Sequence, residues 1–372
     1  MIRTRVENLK EGDVLAYPVI DEAGRVLIGA GIPLKGIVIR RLRELGFNYV
    51  YVEAPGFEDV ERLELISQNT ELEIVKTSKE VFGKIKRTQE LDPQKIQHLA
   101  VTVLNEILSK KNIAIVIDDL MVTSDYLFRH LARTMLFSSV LGINLGYSEN
   151  KLRELAKAAF LHDIGFAFID ESIRNKKGKL SPEEMEIIKQ HPKLADSILA
   201  KNKFSSSVRK AVLQHHERFD GSGYPAGLKG DEIFELARVI AVIDTFEAMT
   251  SDAPYRRALF PGEVYEYVMS QSGRLFDPDI VKVFSKKIII YPTGTSVILS
   301  NNFIGVVKSI NISYPLRPIV KVFAKMTDDG SVNYLDTDFE IDLLRTLDVV
   351  IVGSTDLSGN IIDYERDVSA RY

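Results

Sequence analysis

The chain has 372 residues, 45% hydrophobic and 27% charged, with a net charge of -4 and a pI of about 6.0. That length suits two or three domains, and that charge sets up no global field for nucleic acid or an anionic membrane, so an anionic substrate must be drawn by local groups. Cysteine is absent, which excludes disulfides, thiolate metal sites, cysteine-ligated iron–sulfur clusters and cysteine nucleophiles.

Residues 1–13 lack the apolar core of a signal peptide, and no apolar run approaches the roughly 18–20 residues that span a bilayer, so a cytoplasmic location is expected. Residues 1–57 read as a small α/β module. Val14–Ile20 and Val26–Ile28 are β-rich runs around a turn composition at Asp21–Gly24, Ile37–Leu45 is a short basic helix, and Asn48–Val52 alternates like a strand. Residues 58–120 are charged and helical in pattern, expected as a connector on which a homodimer could form. From 121 to 285 the pattern is helical throughout. Ser148 can cap a helix whose stripe is Leu152, Leu155, Ala156, Ala159 and Phe160, with His162 continuing it and Gly165 as its stop. Ser181-Pro182-Glu183-Glu184 opens a further helix, expected to carry Met185, Ile188 and His191 on one side. Val208, Val212 and His215 share a face, as do Leu236, Ile240 and Asp244. From 286 to 372 the pattern switches to strands at Ile288–Tyr291, Ser296–Leu299, Ile304–Val307, Ile319–Phe323 and Val349–Val352. The whole predicts a multidomain α+β protein: a helical bundle between a small N-terminal α/β module and a small β-rich C-terminal domain.

Five of the six histidines fall in one spaced series: His130, His162 beside Asp163, His191, and the pair His215-His216, closed by Asp244; His98 lies outside it. A histidine on an apolar stripe is more often a hydrogen-bonded core residue than a ligand, but a carboxylate on a buried face must be paired or bind a cation. Several helices delivering such groups inward describe a metal site of the kind built in bundle cores. Their number exceeds the three or four ligands of one ion, so two ions bridged by Asp163 fit better. Two ions about 3.5–4 Å apart clamp a phosphoryl group and lower the pKa of a shared water towards ~7, which is hydrolytic chemistry without an organic cofactor. Directly after His216 comes a loop with Gly221, Gly223, Gly227 and Gly230 around Tyr224-Pro225, expected to shape one wall of the site. Arg218 in that loop either pairs with Asp220 or Glu217 or contacts a ligand phosphate.

These segments resemble the HD-GYP family, the branch of metal-dependent HD phosphohydrolases that degrades cyclic di-GMP. The resemblance covers residues 121–285 and rests on HDIG at 162–165, HP at 191–192, HHERFDGSGYPAGLKG at 215–230 and the stretch from Ile243 to Asp252. The N-terminal module and the YPTGT segment at 291–295 also look like segments flanking this domain in related proteins. The resemblance implies an all-helical HD-type bundle. It implies His130, His162, Asp163, His191, His215 and Asp244 as ligands of two divalent ions, iron or manganese, with His216 a further ligand or, if only two ions bind, a group supporting the ligands, and with Asp163 and His162 at the catalytic centre. Arg218, Gly223, Tyr224, Pro225 and Arg256 would then contact substrate. The implied activity is hydrolysis of a 3′–5′ phosphodiester of cyclic di-GMP, or a related cyclic dinucleotide, to pGpG and on to GMP by a metal-bridged hydroxide; no nucleic-acid polymer is implied. The chain departs from the family pattern at three positions. Tyr126 stands where three-metal members carry Glu, Phe166 where a phosphate-contacting Lys is usual, and Ala253 where Arg is usual. The departures leave the ligand set complete and thin the grip on substrate. They keep two other readings in view: a weakly active or inactive module that binds a cyclic dinucleotide or a protein, and a phosphohydrolase of another nucleotide.

Overall fold

The computed structural model describes residues 1–21, 25–47, 49–60, 64–110, 113–116, 126–176, 178–253, 257–311, 313–327 and 329–355. In the N-terminal module β1 (Ile2–Arg5) pairs antiparallel with β4 (Tyr49–Val52), and β2 (Val19–Ile20) with β3 (Val26–Ile28). Helix α1 (Gly36–Glu44) buries Ile39 and Leu42 against Val6, Leu15 and Val50. The expected strand Val14–Ile20 is shorter than its composition suggests. Pro18 has no N–H to give a ladder, and the Ala16 N–H goes instead to Tyr51 O at 2.8 Å, so only Val19–Ile20 forms β2. The expected alternation of β4 is also absent: all four residues are buried, because the segment around Gly294 covers the other side and accepts from Arg3 N at 3.0 Å.

The helical body comprises α2 (Gln68–Thr88), α3 (Pro93–Leu108), α4 (Tyr126–Asn144), α5 (Glu149–Leu161), α6 (Glu171–Arg174), α7 (Pro182–Ile188), α8 (His191–Lys201), α9 (Ser206–Gln214), α10 (Glu235–Thr250), α11 (Pro261–Ser270) and α12 (Pro278–Lys287). Side-chain caps start several of these helices: Ser67 on α2, Asp92 on α3, Ser205 on α9, Asp277 on α12, and a full capping box at Ser181 and Glu184 on α7. Helices α4 and α10 are apolar nearly all round and sit in the centre, as such helices must. The stretch expected as a connector is built into this body. Ile74 and Ile85 of α2, and Ile96, Leu99 and Val103 of α3, share one core with Leu136, Phe160 and Ile240. A short parallel pair, β5 (Ile115–Val116) with β6 (Ile288–Ile289), joins the entry and exit of the bundle.

The C-terminal domain is a five-stranded antiparallel sheet of order β10-β9-β8-β7-β11, with β7 (Ser296–Leu299), β8 (Phe303–Ser309), β9 (Ile319–Met326), β10 (Val332–Asp342) and β11 (Ile351–Ser354). Strand β10 was not expected, since its Asp336, Asp338 and Glu340 lie on an exposed edge where charge blunts pairing with other chains. The sheet packs against the N-terminal module through Ile2, Phe57, Val60, Ile298 and Phe323, and Lys308 pairs with Asp59 at 2.9 Å. Among the described residues no helix is long and apolar enough to cross a membrane.

Candidate metal centre

Three helix ends and two central helices deliver the histidine series to one place. Helix α5 ends at Leu161, which puts His162 at its C-cap and Asp163 at the start of a 3-10 turn, Ile164–Phe168. Helix α9 ends at Gln214 with His215 at its C-cap. His191 does not continue α7 as expected: that helix stops at Ile188, its Met185 is 41% exposed, and His191 is the first residue of α8 with Pro192 second. Proline fits there because the first turn of a helix needs no internal N–H partner. His130 and Asp244 come from α4 and α10. Gly165 is not the left-handed helix stop that was expected, having no positive φ. A Cβ at this position would lie 2.0 Å from the His191 carbonyl oxygen, so glycine is required by the close approach of the 3-10 turn to α8.

One device fixes three of the imidazoles. His162 Nδ1 lies 2.8 Å from Ala159 O, His191 Nδ1 2.8 Å from Ile188 O, and His215 Nδ1 2.6 Å from Val212 O. A carbonyl oxygen can only accept, so each Nδ1 carries the proton and each Nε2 presents a lone pair. His130 Nδ1 meets the Glu247 carboxylate instead. The four Nε2 atoms then face one another and two carboxylates. His130 and His162 Nε2 are 3.1 Å apart, and His191 and His215 Nε2 3.3 Å. Asp163 Oδ2 is 3.6 Å from His130 and 3.4 Å from His162, while its Oδ1 is 3.3 Å from His191 and 3.7 Å from His215. Asp244 Oδ1 lies 3.3 Å from His130 and 3.7 Å from His162, and its Oδ2 4.0 Å from His216 Nδ1.

Acceptors turned on acceptors at such distances repel unless positive charge lies among them, as a bound ion or as protons on His130 and His162, the two imidazoles whose protonation their carboxylate neighbours favour. Ligand atoms about 2.1 Å from one ion sit roughly 3.0–3.4 Å from each other, the range of the shorter spacings here, and the longer ones exceed it by a few tenths of an ångström. The donors form two groups, His130 with His162 and Asp244, and Asp163 with His191, His215 and His216. Asp163 belongs to the second group but turns one oxygen to the first, the posture of a bridging carboxylate. All seven residues expected as ligands are therefore assembled, and a donor set of imidazole and carboxylate fits divalent iron, manganese or zinc.

The electrostatics follow from burial and neighbours. Burial opposes ionisation of Asp163 and Asp244, yet the surrounding histidines outweigh it and hold both well below the usual carboxylate range. Burial pushes His191 down to about 4 and, with His215 and His191 beside it, holds His216 well below the ordinary range; both stay neutral, as a ligand must. Burial also lowers His130 and His162, but Glu247 raises the first and Asp163 the second by more.

Two buried carboxylates were missed as functional groups in the sequence. Glu247, fully buried one turn after Asp244 on α10, faces His130 Nδ1, accepts from Ser251 Oγ at 2.5 Å and lies 3.6 Å from Arg133 Nη1. Burial would raise it; His130 and Arg133 pull it down to about 2. An acidic residue three positions after Asp244, inside an apolar run, was the available signal. Glu217 reads in the sequence only as a partner of Arg218. Its buried carboxylate accepts from Ala226 N at 2.7 Å and Leu228 N at 3.0 Å, which pins the glycine-rich loop. Gly223 packs so close that a Cβ would lie 2.3 Å from Arg218 N. That seats Tyr224, followed by Pro225, with its ring stacked on His216 at 4.7 Å. Arg218 takes neither expected carboxylate. Its Nη1 donates to the carbonyls of His215 and Glu217 at 3.4 and 3.3 Å, over the Phe276 ring, and Asp220 turns to Ser222 and Arg274. Phe166 stacks on His191 and Tyr126 on His130. Ala253 follows Asp252, whose carboxylate caps Ala258 N at 2.7 Å. Arg256 lies outside the described residues, and His98 is an exposed residue of α3.

Residues 115–280 match a sequence family described as the HD domain. A cyclic di-GMP phosphodiesterase of Pseudomonas aeruginosa, PA4108, is 32% identical over 244 residues, covering 65% of this chain and 59% of that protein. The cyclic di-GMP phosphodiesterase response regulator RpfG of Xanthomonas campestris pv. campestris is 43% identical over 139 residues, 37% of each chain. A 3′3′-cGAMP-specific phosphodiesterase 2 of Vibrio cholerae is 33% identical over 156 residues, 41% of this chain and 30% of that one. The chain thus spans less than two thirds of the length of each of these relatives.

Proposed function

This chain belongs to the HD-GYP family of HD-domain proteins, and from that premise we propose that it is a metal-dependent phosphodiesterase of cyclic dinucleotides, acting on cyclic di-GMP. The observation that carries the reading is the convergence of four imidazole Nε2 lone pairs on Asp163, whose two oxygens face different ligand groups. The names of the relatives, phosphodiesterases of cyclic di-GMP and of 3′3′-cGAMP, support the substrate class.

When bound, two divalent cations supply charge neutralisation to a phosphodiester and lower the pKa of a water, so hydrolysis to linear pGpG and then GMP needs no organic cofactor. The rest is done by the chain. Main-chain carbonyls at three helix ends lock the tautomers of His162, His191 and His215, so the ligand atoms are aimed before any ion arrives. Asp163 and Asp244 supply the negative charge that would hold the ions, and burial of every member of the set but His216 keeps those interactions strong. Glu217 fixes the loop that sets Tyr224 as a wall beside His216.

The test is anaerobic purification, measurement of bound Fe, Mn and Zn, and hydrolysis of cyclic di-GMP with each metal. Asp163→Asn should lose both bound ions together with turnover. Wild-type protein that carries two ions yet forms no product from any cyclic dinucleotide, or an Asp163→Asn variant with unchanged metal content, would overturn the proposal. Tight binding without turnover would identify a sensor instead.

A further inference from the structure

Three histidines of the centre each carry an aromatic ring laid nearly parallel on them. Phe166 rests on His191 with centroids 4.2 Å apart and planes at 16°, Tyr224 on His216 at 4.7 Å and 23°, and Tyr126 on His130 at 5.8 Å and 15°. His191 is fully buried whereas Phe166, which covers it with one face of its ring, is only half-buried. His191 and His216, on which Phe166 and Tyr224 rest, are 4.9 Å apart and cross at 89°. Phe166 and Tyr224 are therefore two steeply inclined aromatic walls directly beside the ligand atoms. Lys189 lies near this corner, its Nζ 5.9 Å from the Tyr224 ring, but it is also paired with Glu186 at 2.7 Å.

A phosphate gains nothing from a phenyl ring, whereas a planar heteroaromatic ring gains a stacking surface. We infer that Phe166 is a nucleobase platform: one purine of a cyclic dinucleotide stacks on it while the phosphodiester lies at the metal centre, with Tyr224 as the adjoining wall. This rests on the phosphodiesterase reading above and deepens it. The phenyl ring has no polar atom, so it reads the π-face of a base and not its edge. Guanine- and adenine-bearing cyclic dinucleotides should depend on it alike.

The chain contains no tryptophan, so Phe166→Trp installs a single fluorescent reporter at this position. Metal-loaded full-length protein is titrated with non-hydrolysable phosphorothioate analogues of cyclic di-GMP and 3′3′-cGAMP. Phe166→Leu keeps an apolar side chain without a π-face and should bind both roughly 10- to 100-fold more weakly, at unchanged metal content. Phe166→Trp should bind within a few-fold of wild type and show saturable quenching of its emission. The platform is refuted if the Leu variant binds as wild type, if Trp emission does not move at saturating ligand, or if the Leu variant loses metal, which would make Phe166 a support for His191. Wild-type protein that holds its ions but binds neither analogue would sink the phosphodiesterase reading itself, and the platform with it.

Discussion

Replacing Glu247 by Gln keeps its volume and an acceptor for His130 Nδ1, but removes the buried negative charge that faces His130 and Arg133. Ser251 need not lose its partner, since a hydroxyl can accept from the new amide as readily as it donates to the old carboxylate. What changes is the basicity and aim of one ligand. A hydrogen bond to a charged group contributes about 1.5–3 kcal/mol against about 0.5–1.5 for a neutral one. The difference, roughly 1–2 kcal/mol, predicts about 10-fold weaker binding at the group formed by His130, His162 and Asp244, at the lower end of the roughly 10- to 100-fold typical when such an outer partner is lost. His191, His215 and His216 make no contact with Glu247 among the bonds described, so their ion should bind as before. Titrating metal-free protein with Mn²⁺, followed by calorimetry and by paramagnetic resonance of the free ion, resolves the two classes. Two sites of unchanged affinity, or both weakened equally, would refute the assignment of Glu247 to one ion.

Gly165→Ala forces a Cβ to within 2.0 Å of a main-chain oxygen, so it should cost at least about 2 kcal/mol and displace His191, read as a lower Tm and reduced metal content; a fully loaded variant with wild-type Tm would contradict the close approach. Glu217→Ala removes both acceptors in the glycine-rich loop, and the Ala226 and Leu228 amides should exchange hydrogen roughly 10- to 100-fold faster while the helix interiors do not change. Glu247, pulled from an ordinary 4.5 to about 2, contributes stability that is complete above about pH 4.5 and is lost as pH falls towards 2. Acid unfolding of metal-free wild type should therefore be steeper in that window than that of Glu247→Gln, and equal slopes would count against the coupling.

The clustering of the histidine and aspartate series was legible because its members sit on an apolar stripe or at a helix end, where a polar side chain has to be explained. His191 was placed on the wrong helix because Met185 to Gln190 contains no breaker, and Pro192 marks a beginning and not an end. Glu247 was hidden by its own surroundings, an apolar run in which Asp244 had already supplied the expected carboxylate. Gly165 follows a helix as a stop would, and only the path of α8, set by contacts remote in sequence, gives it another reason. Residues 58–120 read as a connector since charge dominates their composition, although the stripes of Ile74, Val81 and Ile85, and of Ile96, Leu99 and Val103, are those of core helices. Strand β10 has too few buried residues to leave a hydrophobic pattern at all.

The shared core of the N-terminal module and the C-terminal sheet bears on how such a chain can be rearranged. Phe57 meets Phe323 edge to face at 5.6 Å, and Lys321 reaches the Gly56 carbonyl across the same seam. Two segments more than 260 residues apart in sequence thus form one folding partner for the bundle. Removing either segment would leave the other with a bare aromatic face, so each should lose stability without the other. A fragment beginning at residue 121 would lack both α2 and α3 and half of that seam, and should aggregate.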